Sequence, residues 1–146
     1  MANFYGTNTT SIISSVPSDG TKLDAQIGDK VRCATETITL SAAINSDGTS
    51  AQIYFARIPA GSRFLKVEVS STVSLGTSTL AVTDGTTTWA PAKAYGTTAD
   101  AVVAYADADY VGDEFTAQTD LYFTVGTAAL PSSGEVKAAV YYTTPN

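Results

Sequence analysis

Apolar and polar residues alternate along several short stretches of this chain, as they do in β-strands with one buried face. In residues 63–69 the apolar positions are Leu65, Val67 and Val69, and Lys66 and Glu68 lie between them. Residues 135–142 alternate in the same way, and their apolar row consists of Val136, Ala138, Val140 and Tyr142. Both stretches predict strands that cover one side of a hydrophobic core.

Five further strands are predicted over residues 31–40, 51–58, 77–83, 86–90 and 121–126. In the first of these the apolar side chains occupy odd-numbered positions at the start, Val31 and Cys33, and even-numbered positions at the end, Ile38 and Leu40. We therefore expect a bulge near residues 35–36. A bend there would let one long strand serve two sheets. Cys33, the only cysteine, is interpreted as a small buried side chain. A reactive or metal-binding thiol is the alternative.

Tight turns separate the predicted strands. Asp-Gly-Thr occurs at residues 19–21, 47–49 and 84–86, and Asp-Gly between apolar runs is a strong turn signal. Aspartic proteases use the order Asp-Thr/Ser-Gly, so we interpret the triplets as turns and not as catalytic residues. Residues 59–62 and 131–134 are the other clear turns.

Two regions interrupt the strand pattern. Residues 1–27 carry Gly, Pro, Asn, Ser and Asp with short apolar islands, and we interpret them as an extended arm that precedes a sandwich domain over residues 28–146. The second region contains a predicted short helix over residues 99–106, capped by Thr98. An acidic loop over residues 107–113 follows it.

Composition supports an all-β fold and excludes several functions. Thr, Val, Ser, Ala, Tyr and Gly predominate, a bias typical of sheets. The chain has no histidine, which excludes Ser-His-Asp and Cys-His catalysis. With 8 basic and 14 acidic residues the net charge is −6, so a nucleic-acid partner is not expected. No apolar run reaches the length of a membrane helix. We therefore expect a binding protein, neither an enzyme nor a protein with a cofactor.

Three local patterns suggest binding sites. Asp107, Asp109 and Asp113 resemble part of a calcium loop, but Val111 and Gln118 occupy positions where ligands should lie, so a solvated acidic loop is the favoured interpretation. The single tryptophan, Trp89, is a candidate for sugar stacking or for a core position. Apolar and aromatic side chains outside the predicted core are candidates for an assembly interface, where such residues are enriched. The assembly candidates are Phe4, Tyr5, Ile12, Ile13, Trp89 and Tyr141.

The order of two motifs resembles small structural proteins of tailed bacteriophages. Ile58-Pro59-Ala60-Gly61-Ser62-Arg63-Phe64-Leu65-Lys66-Val67 matches a turn and strand of that family, and Ser74-Leu75-Gly76-Thr77-Ser78-Thr79-Leu80-Ala81-Val82 matches the strand that follows. An Asp/Ala-rich loop and a closing hairpin, over residues 121–126 and 135–142, complete the likeness. Thr83-Asp84-Gly85 stands where family members often have glycine directly after the strand.

The resemblance implies a jelly-roll-like β-sandwich that decorates a capsid as a cement protein, commonly as a homotrimer. Its partner would be the major capsid protein, and its location the outer capsid surface of a virion after synthesis in the host cytoplasm. A carbohydrate-binding or receptor-binding module of a phage tail or head fibre is the alternative function. A major coat protein or a tail-tube subunit is a third hypothesis, which the small size and the lack of long self-pairing strands disfavour.

Overall fold

The computed structural model describes residues 3–5, 30–94 and 102–144. In this part of the chain most residues lie in strands, separated by tight turns. The strands are β1 (Asn3–Tyr5), β2 (Lys30–Thr39), β3 (Gln52–Ile58), β4 (Arg63–Ser71), β5 (Thr79–Thr83), β6 (Thr88–Ala94), β7 (Val102–Tyr105), β8 (Thr119–Gly126) and β9 (Glu135–Thr144). A short helix, α1 (Ala42–Asp47), and a 3₁₀ turn (Gly48–Ser50) connect β2 to β3.

Strands β2 to β9 pair in a nested order. The outermost strands of the sequence pair with each other, and so does each next pair inward. The pairs are β2 with β9, β3 with β8, β4 with β7 and β5 with β6, all antiparallel. Two further pairings, β4 with β9 and β5 with β8, join these hairpin-like pairs into two sheets. One long antiparallel ribbon rolled over itself in this manner is a jelly roll. The predicted jelly-roll-like sandwich is therefore confirmed.

The sheets have the orders β1-β3-β8-β5-β6 and β2-β9-β4-β7. Alternate side chains of each sheet enter one shared core, as the strand period of two requires. The predicted inward row of β9 is confirmed, since Val136, Ala138, Val140 and Tyr142 are all buried. Stacked rings of Phe55 and Phe123, with centroids 4.3 Å apart, lie in the same core.

The expected bulge in β2 is wrong. β2 pairs with β9 without interruption from Lys30 to Thr39, and its inward row begins with Ala34. Val31 therefore points outward and is 65% exposed. Cys33 is only half-buried and lies on the outer face, not in the core. Glu36 is polar but buried. Because a polar residue occupies an inward position, the alternation did not show which face of β2 points to the core.

Bulges instead occur in β3 and β4. The register of β4 against β9 shifts between Phe64 and Lys66, so Leu65 is the extra residue. Phe64 is consequently fully buried and Leu65 only partly, whereas Val67 and Val69 are buried as predicted. In β3 the shift falls between Tyr54 and Ala56. Each of these two strands nevertheless stays within a single sheet, so neither serves two sheets as was expected of β2.

In the described residues one prediction about secondary structure is wrong and one helix was not predicted. Residues 102–105 form β7, paired with β4, instead of the end of a helix. The helix α1 was not predicted, although Ser41 caps it by accepting a hydrogen bond at Oγ from the Ile44 N–H, 3.3 Å away. Residues 95–101 lie outside the described part of the chain.

The predicted turns have different outcomes. Asp84-Gly85-Thr86 does join the paired strands β5 and β6, and Asp84 Oδ1 accepts hydrogen bonds from the N–H groups of Thr86 and Thr87. Residues 47–49 instead end α1 and begin the 3₁₀ turn, and residues 19–21 lie outside the described residues. The expected closing hairpin is wrong, because β8 and β9 belong to different sheets.

Candidate assembly interface

β1 is the part of the predicted arm that the structure describes. It runs parallel to β3, and the Cα partners are Asn3 with Gln52, Phe4 with Ile53 and Tyr5 with Tyr54. Phe4 and Tyr5 are thus placed at a sheet edge, where an extended segment binds mainly through backbone hydrogen bonds. Ile12 and Ile13 lie outside the described residues, so their interface role stays a prediction.

Tyr141 lies on the opposite sheet, on its outer face. Its hydroxyl donates a hydrogen bond to Glu68 Oε2, 3.2 Å away, and Lys66 Nζ donates to Glu68 Oε1 at 2.9 Å. The Lys66 ammonium also lies 4.9 Å from the centroid of the Tyr141 ring. Tyr141, Lys66 and Glu68, together with the register partner Cys33, form what we call the outer-face cluster.

Contacts within the outer-face cluster shift the pKa values of Tyr141 and Glu68. The charge and hydrogen bonding of the Cys33 sulfur, followed by desolvation and the Glu68 carboxylate, raise the pKa of Tyr141 to about 12. The hydrogen bond and the charge of Lys66, with the Tyr141 hydroxyl, lower the pKa of Glu68. Near neutral pH the cluster therefore presents a carboxylate held by two donors beside a neutral phenol.

Tyr141 and Tyr142 point to opposite sides of β9. Tyr142 is fully buried, which confirms the inward row, and Tyr141 is half-buried on the outer face. Burial raises the pKa of Tyr142; among the smaller effects, the charge of Arg32 lowers it and that of Cys33 raises it. Tyr141 is thus the tyrosine of this pair that a partner can reach.

A shallow depression lies next to the outer-face cluster. The depression has a volume of about 370 Å³, and its outward-facing lining consists of Thr35, Thr37, Glu68, Ser70, Val102, Lys137 and Ala139. Val102 is 65% exposed. Glu68 belongs both to this lining and to the outer-face cluster, so the depression and the cluster adjoin on the outer face.

Trp89 lies in the core. Only 5% of its surface is exposed, and its ring packs against Phe115, Phe64 and Tyr110 at centroid distances of 4.2, 5.4 and 5.6 Å. Its Nε1–H donates to Asp84 Oδ2 at 3.2 Å. This burial favours the core interpretation of Trp89 over a role in contacting a partner, and it weighs against sugar stacking on the indole.

The acidic loop over residues 107–113 closes the sandwich beside Trp89. Asp107 N–H donates to the Trp89 carbonyl at 2.9 Å, and Gly112 N–H donates to the Phe64 carbonyl at 2.7 Å. Asp107 Oδ1 accepts from the Asp109 N–H at 3.0 Å. In the described residues no group of three or more His, Cys, Asp or Glu side chains is arranged to hold a metal. The loop geometry is that of a structural turn.

Cys33, Lys66 and Glu68 were not among the residues predicted for an interface. Lys66 and Glu68 were assigned to the outer face by their alternation in β4, but nothing in one strand shows which residues lie beside them. Their neighbours come from the pairing of β2, β9 and β4, in which Tyr141 is the partner of both Cys33 and Lys66. Cross-strand register was therefore the missing information.

Comparison with known proteins agrees with the jelly-roll fold. No protein-family model matches the chain, and no curated protein sequence matches it. A chain in the structure of the cyanophage Pam1 capsid asymmetric unit is similar, with a TM-score of 0.60 and 23% identity over 91% of this chain and 100% of that one. A chain in the capsid of Ralstonia phage GP4 has a TM-score of 0.62 and 13% identity over 99% of both chains. At these identities the likeness shows the fold.

The described residues contain one short α-helix. Their helix, α1, covers only Ala42–Asp47, and no helix among them is both long and apolar enough to cross a bilayer.

Proposed function

We propose that this chain is a structural protein of a tailed-phage virion that binds the outside of the capsid and stabilises contacts between coat subunits. The observation that carries the proposal is the likeness to chains from two phage capsid structures, which spans at least 91% of this chain and 99% or more of each of those chains. A likeness that leaves no large part of either chain unmatched favours a related role over a shared module in an unrelated protein.

The charge of the chain supports a position on the outer surface. Its net charge of −6 opposes contact with packaged DNA, because nucleic-acid binding proteins neutralise phosphates with clustered Lys and Arg. The basic side chains Arg57, Arg63 and Lys66 are engaged with carboxylates of the same chain. Such a surface fits a particle exterior better than its DNA-facing interior.

The proposed partner is the major capsid protein, and the proposed assembly is a homotrimer. In this proposal the arm over residues 1–27 lies across a seam between coat subunits, anchored by Phe4, Tyr5, Ile12 and Ile13. Ordering an arm costs about 1–2 kcal/mol per residue, so apolar anchors are needed to offset that cost. Tyr141 and the depression beside it provide a second, rigid contact surface. Trimer formation multiplies weak contacts through effective concentration.

The proposal is tested by adding the purified protein to phage heads that lack it. We expect the protein to sediment with the heads and to raise the temperature at which they open, because ligands that bind only the assembled state stabilise it. A Tyr141→Ser variant should bind more weakly, whereas Thr86→Ser, at an exposed hairpin tip on the other sheet, should bind as the parent does. Heads that gain neither bound protein nor thermal stability would rule out the cement role.

A further inference from the structure

β1 extends the edge of a sheet that the other described strands form without it. In the described residues the two sheets without β1 contain four strands each, and all neighbours in them are antiparallel. β1 is the exception, because it runs parallel to β3 at the edge of its sheet. The nested pairing of β2 to β9 needs nothing from β1, so the body of the fold exists whether or not the β3 edge is occupied.

Chain connectivity does not tie β1 to the β3 edge of its own molecule. Parallel neighbours cannot be joined by a tight hairpin, and β2, the next strand in sequence, belongs to the other sheet. Residues 6–29 separate Tyr5 from Lys30, and a segment of that length can span on the order of 80 Å when extended. A domain of this size has a radius of gyration of about 15 Å, so the segment can reach a neighbouring copy.

The contact itself is transferable. Strand addition recognises the N–H and C=O groups of an edge and its register, and those groups are the same in every copy of the chain. A strand of three residues contributes little on its own, so it opens with a small free-energy cost. When one copy replaces its own strand with that of another, equivalent hydrogen bonds are broken and formed, which is why such exchange is a low-cost route to oligomers.

We propose that the β3 edge is a strand-exchange site, where Asn3–Tyr5 of one copy pairs with Gln52–Tyr54 of a neighbouring copy in the same parallel register. The exchange rests on the proposed trimer, which holds the copies close enough to raise the effective concentration of the neighbour's strand. Each copy donates one strand and accepts one, a head-to-tail contact that closes into a ring under three-fold symmetry. The ring then opens only if a donated strand is released.

Cysteine pairs placed in register test the exchange. In a Cys33→Ser background, which removes the only native thiol, one chain carries Asn3→Cys and a second, differently tagged chain carries Gln52→Cys. Paired strands lie about 4.7–4.9 Å apart, within the range in which a disulfide forms. After coexpression and mild oxidation we expect a covalent dimer that carries both tags and disappears on reduction.

The control partner is Thr86→Cys in the same background, an exposed position far along the sheet from the β3 edge, which should give no more than trace cross-linking with Asn3→Cys. A single chain with both Asn3→Cys and Gln52→Cys reports the competing arrangement as an internal bridge. Light scattering on the uncross-linked protein separates the outcomes. A trimer that gives only the internal bridge overturns the exchange and leaves the capsid role standing; a monomer with no mixed dimer overturns both the exchange and the proposed trimer.

Discussion

Gly134 has both a backbone conformation and surroundings that exclude a side chain. Its φ is +109°, and a Cβ there would lie 2.6 Å from Val73 Cγ2. Gly112 has a similar φ of +90°, but nothing lies within 4 Å of its Cβ position. The two glycines therefore separate the cost of the conformation from the cost of the contact.

Gly134→Ala should destabilise the protein more than Gly112→Ala does. Gly112→Ala carries only the conformational cost of positive φ, about 1–3 kcal/mol. Gly134→Ala adds overpacking against Val73, typically a further 1–3 kcal/mol. Urea denaturation of the two variants measures the difference directly. Equal losses would mean that the loop around Gly134 moves away from Val73 at no cost.

The outer-face cluster makes a prediction about Tyr141. Its pKa, raised to about 12 from 10.0, has Cys33 as the largest cause and Glu68 as a smaller one. Cys33→Ala should therefore lower the pKa of Tyr141 more than Glu68→Gln does. NMR titration of ring-labelled tyrosine between pH 9 and 12.5 measures both shifts. A larger shift in Glu68→Gln would show that the carboxylate dominates the environment of the phenol.

The sign of the effect on stability follows from the same shift. The folded pKa of Tyr141 lies above the unfolded value of 10.0, so the folded state holds its proton more tightly. The contribution is fully present below pH 10 and is lost as the pH rises towards about 12. The Glu68 pKa is lowered, so its contribution is present above the unfolded value of 4.5 and is lost as the pH falls through the folded value.

At the scale of the strand, alternation predicts which residues form strands, and bulges change which face a residue occupies. All the strands predicted from alternation or apolar runs exist, with ends that differ by a few residues. Leu65 was nevertheless assigned to the core, because a bulge changes parity without changing the pattern on either side of it. In β2 the pattern indicated a bulge where there is none. The strand is regular, but buried Glu36 and outward-facing Cys33 break its polar and apolar alternation.

The segment 102–105 failed for a different physical reason. Its Ala-rich surroundings favour a helix locally, but Val102–Tyr105 completes the pairing of β4 and inserts Tyr105, whose hydroxyl donates to the Leu80 carbonyl at 3.1 Å. Tertiary pairing outweighs a helix propensity of a few tenths of a kcal/mol per residue. The outer-face cluster could not be predicted either, because its members come from three strands and only the pairing of those strands brings them together.

Substitutions in β4 test the assignment of faces. Val67→Ser should destabilise the protein by about 2–4 kcal/mol, because it leaves a small cavity and buries a hydroxyl at a fully buried site. Leu65→Ser removes more apolar atoms but should cost less, because Leu65 is the bulged residue and is partly exposed. Chemical denaturation of the two variants gives the comparison. If Leu65→Ser loses more stability than Val67→Ser, Leu65 belongs to the core and the assignment of faces is wrong.

At the scale of the whole molecule, the nested order of pairing explains why the closing hairpin was mispredicted. Two adjacent strands joined by a short turn usually pair with each other, as β5 and β6 do. In a jelly roll only the innermost strands pair in this way, and each later strand returns to a partner progressively further back in the sequence. Sequence spacing alone therefore cannot distinguish the β8–β9 connection, which crosses between the sheets, from a hairpin.

The same topology predicts the result of removing the arm. A chain without residues 1–24 retains β2 to β9 and therefore both four-stranded sheets. Of the pairings made by the described residues it loses that of Asn3–Tyr5 at the sheet edge. At about 0.5–1.5 kcal/mol for each net hydrogen bond, we expect the stability to fall by no more than a few kcal/mol. Circular dichroism should show the parental sheet signal, and thermal unfolding should stay cooperative.

Binding to phage heads should respond far more strongly than folding to that truncation. If the arm anchors the protein across a coat seam, its removal should weaken binding at least tenfold, which corresponds to about 1.4 kcal/mol, as measured by sedimentation of labelled protein with heads. A full-length Phe4→Ser/Tyr5→Ser variant is the matched control, because it keeps the length of the arm and removes two proposed anchors. Its affinity should fall between those of the parent and the truncated chain. If the truncated protein folds normally and binds heads as tightly as the parent, the arm has no role in binding. The interface would then lie entirely on the sandwich and its outer-face cluster.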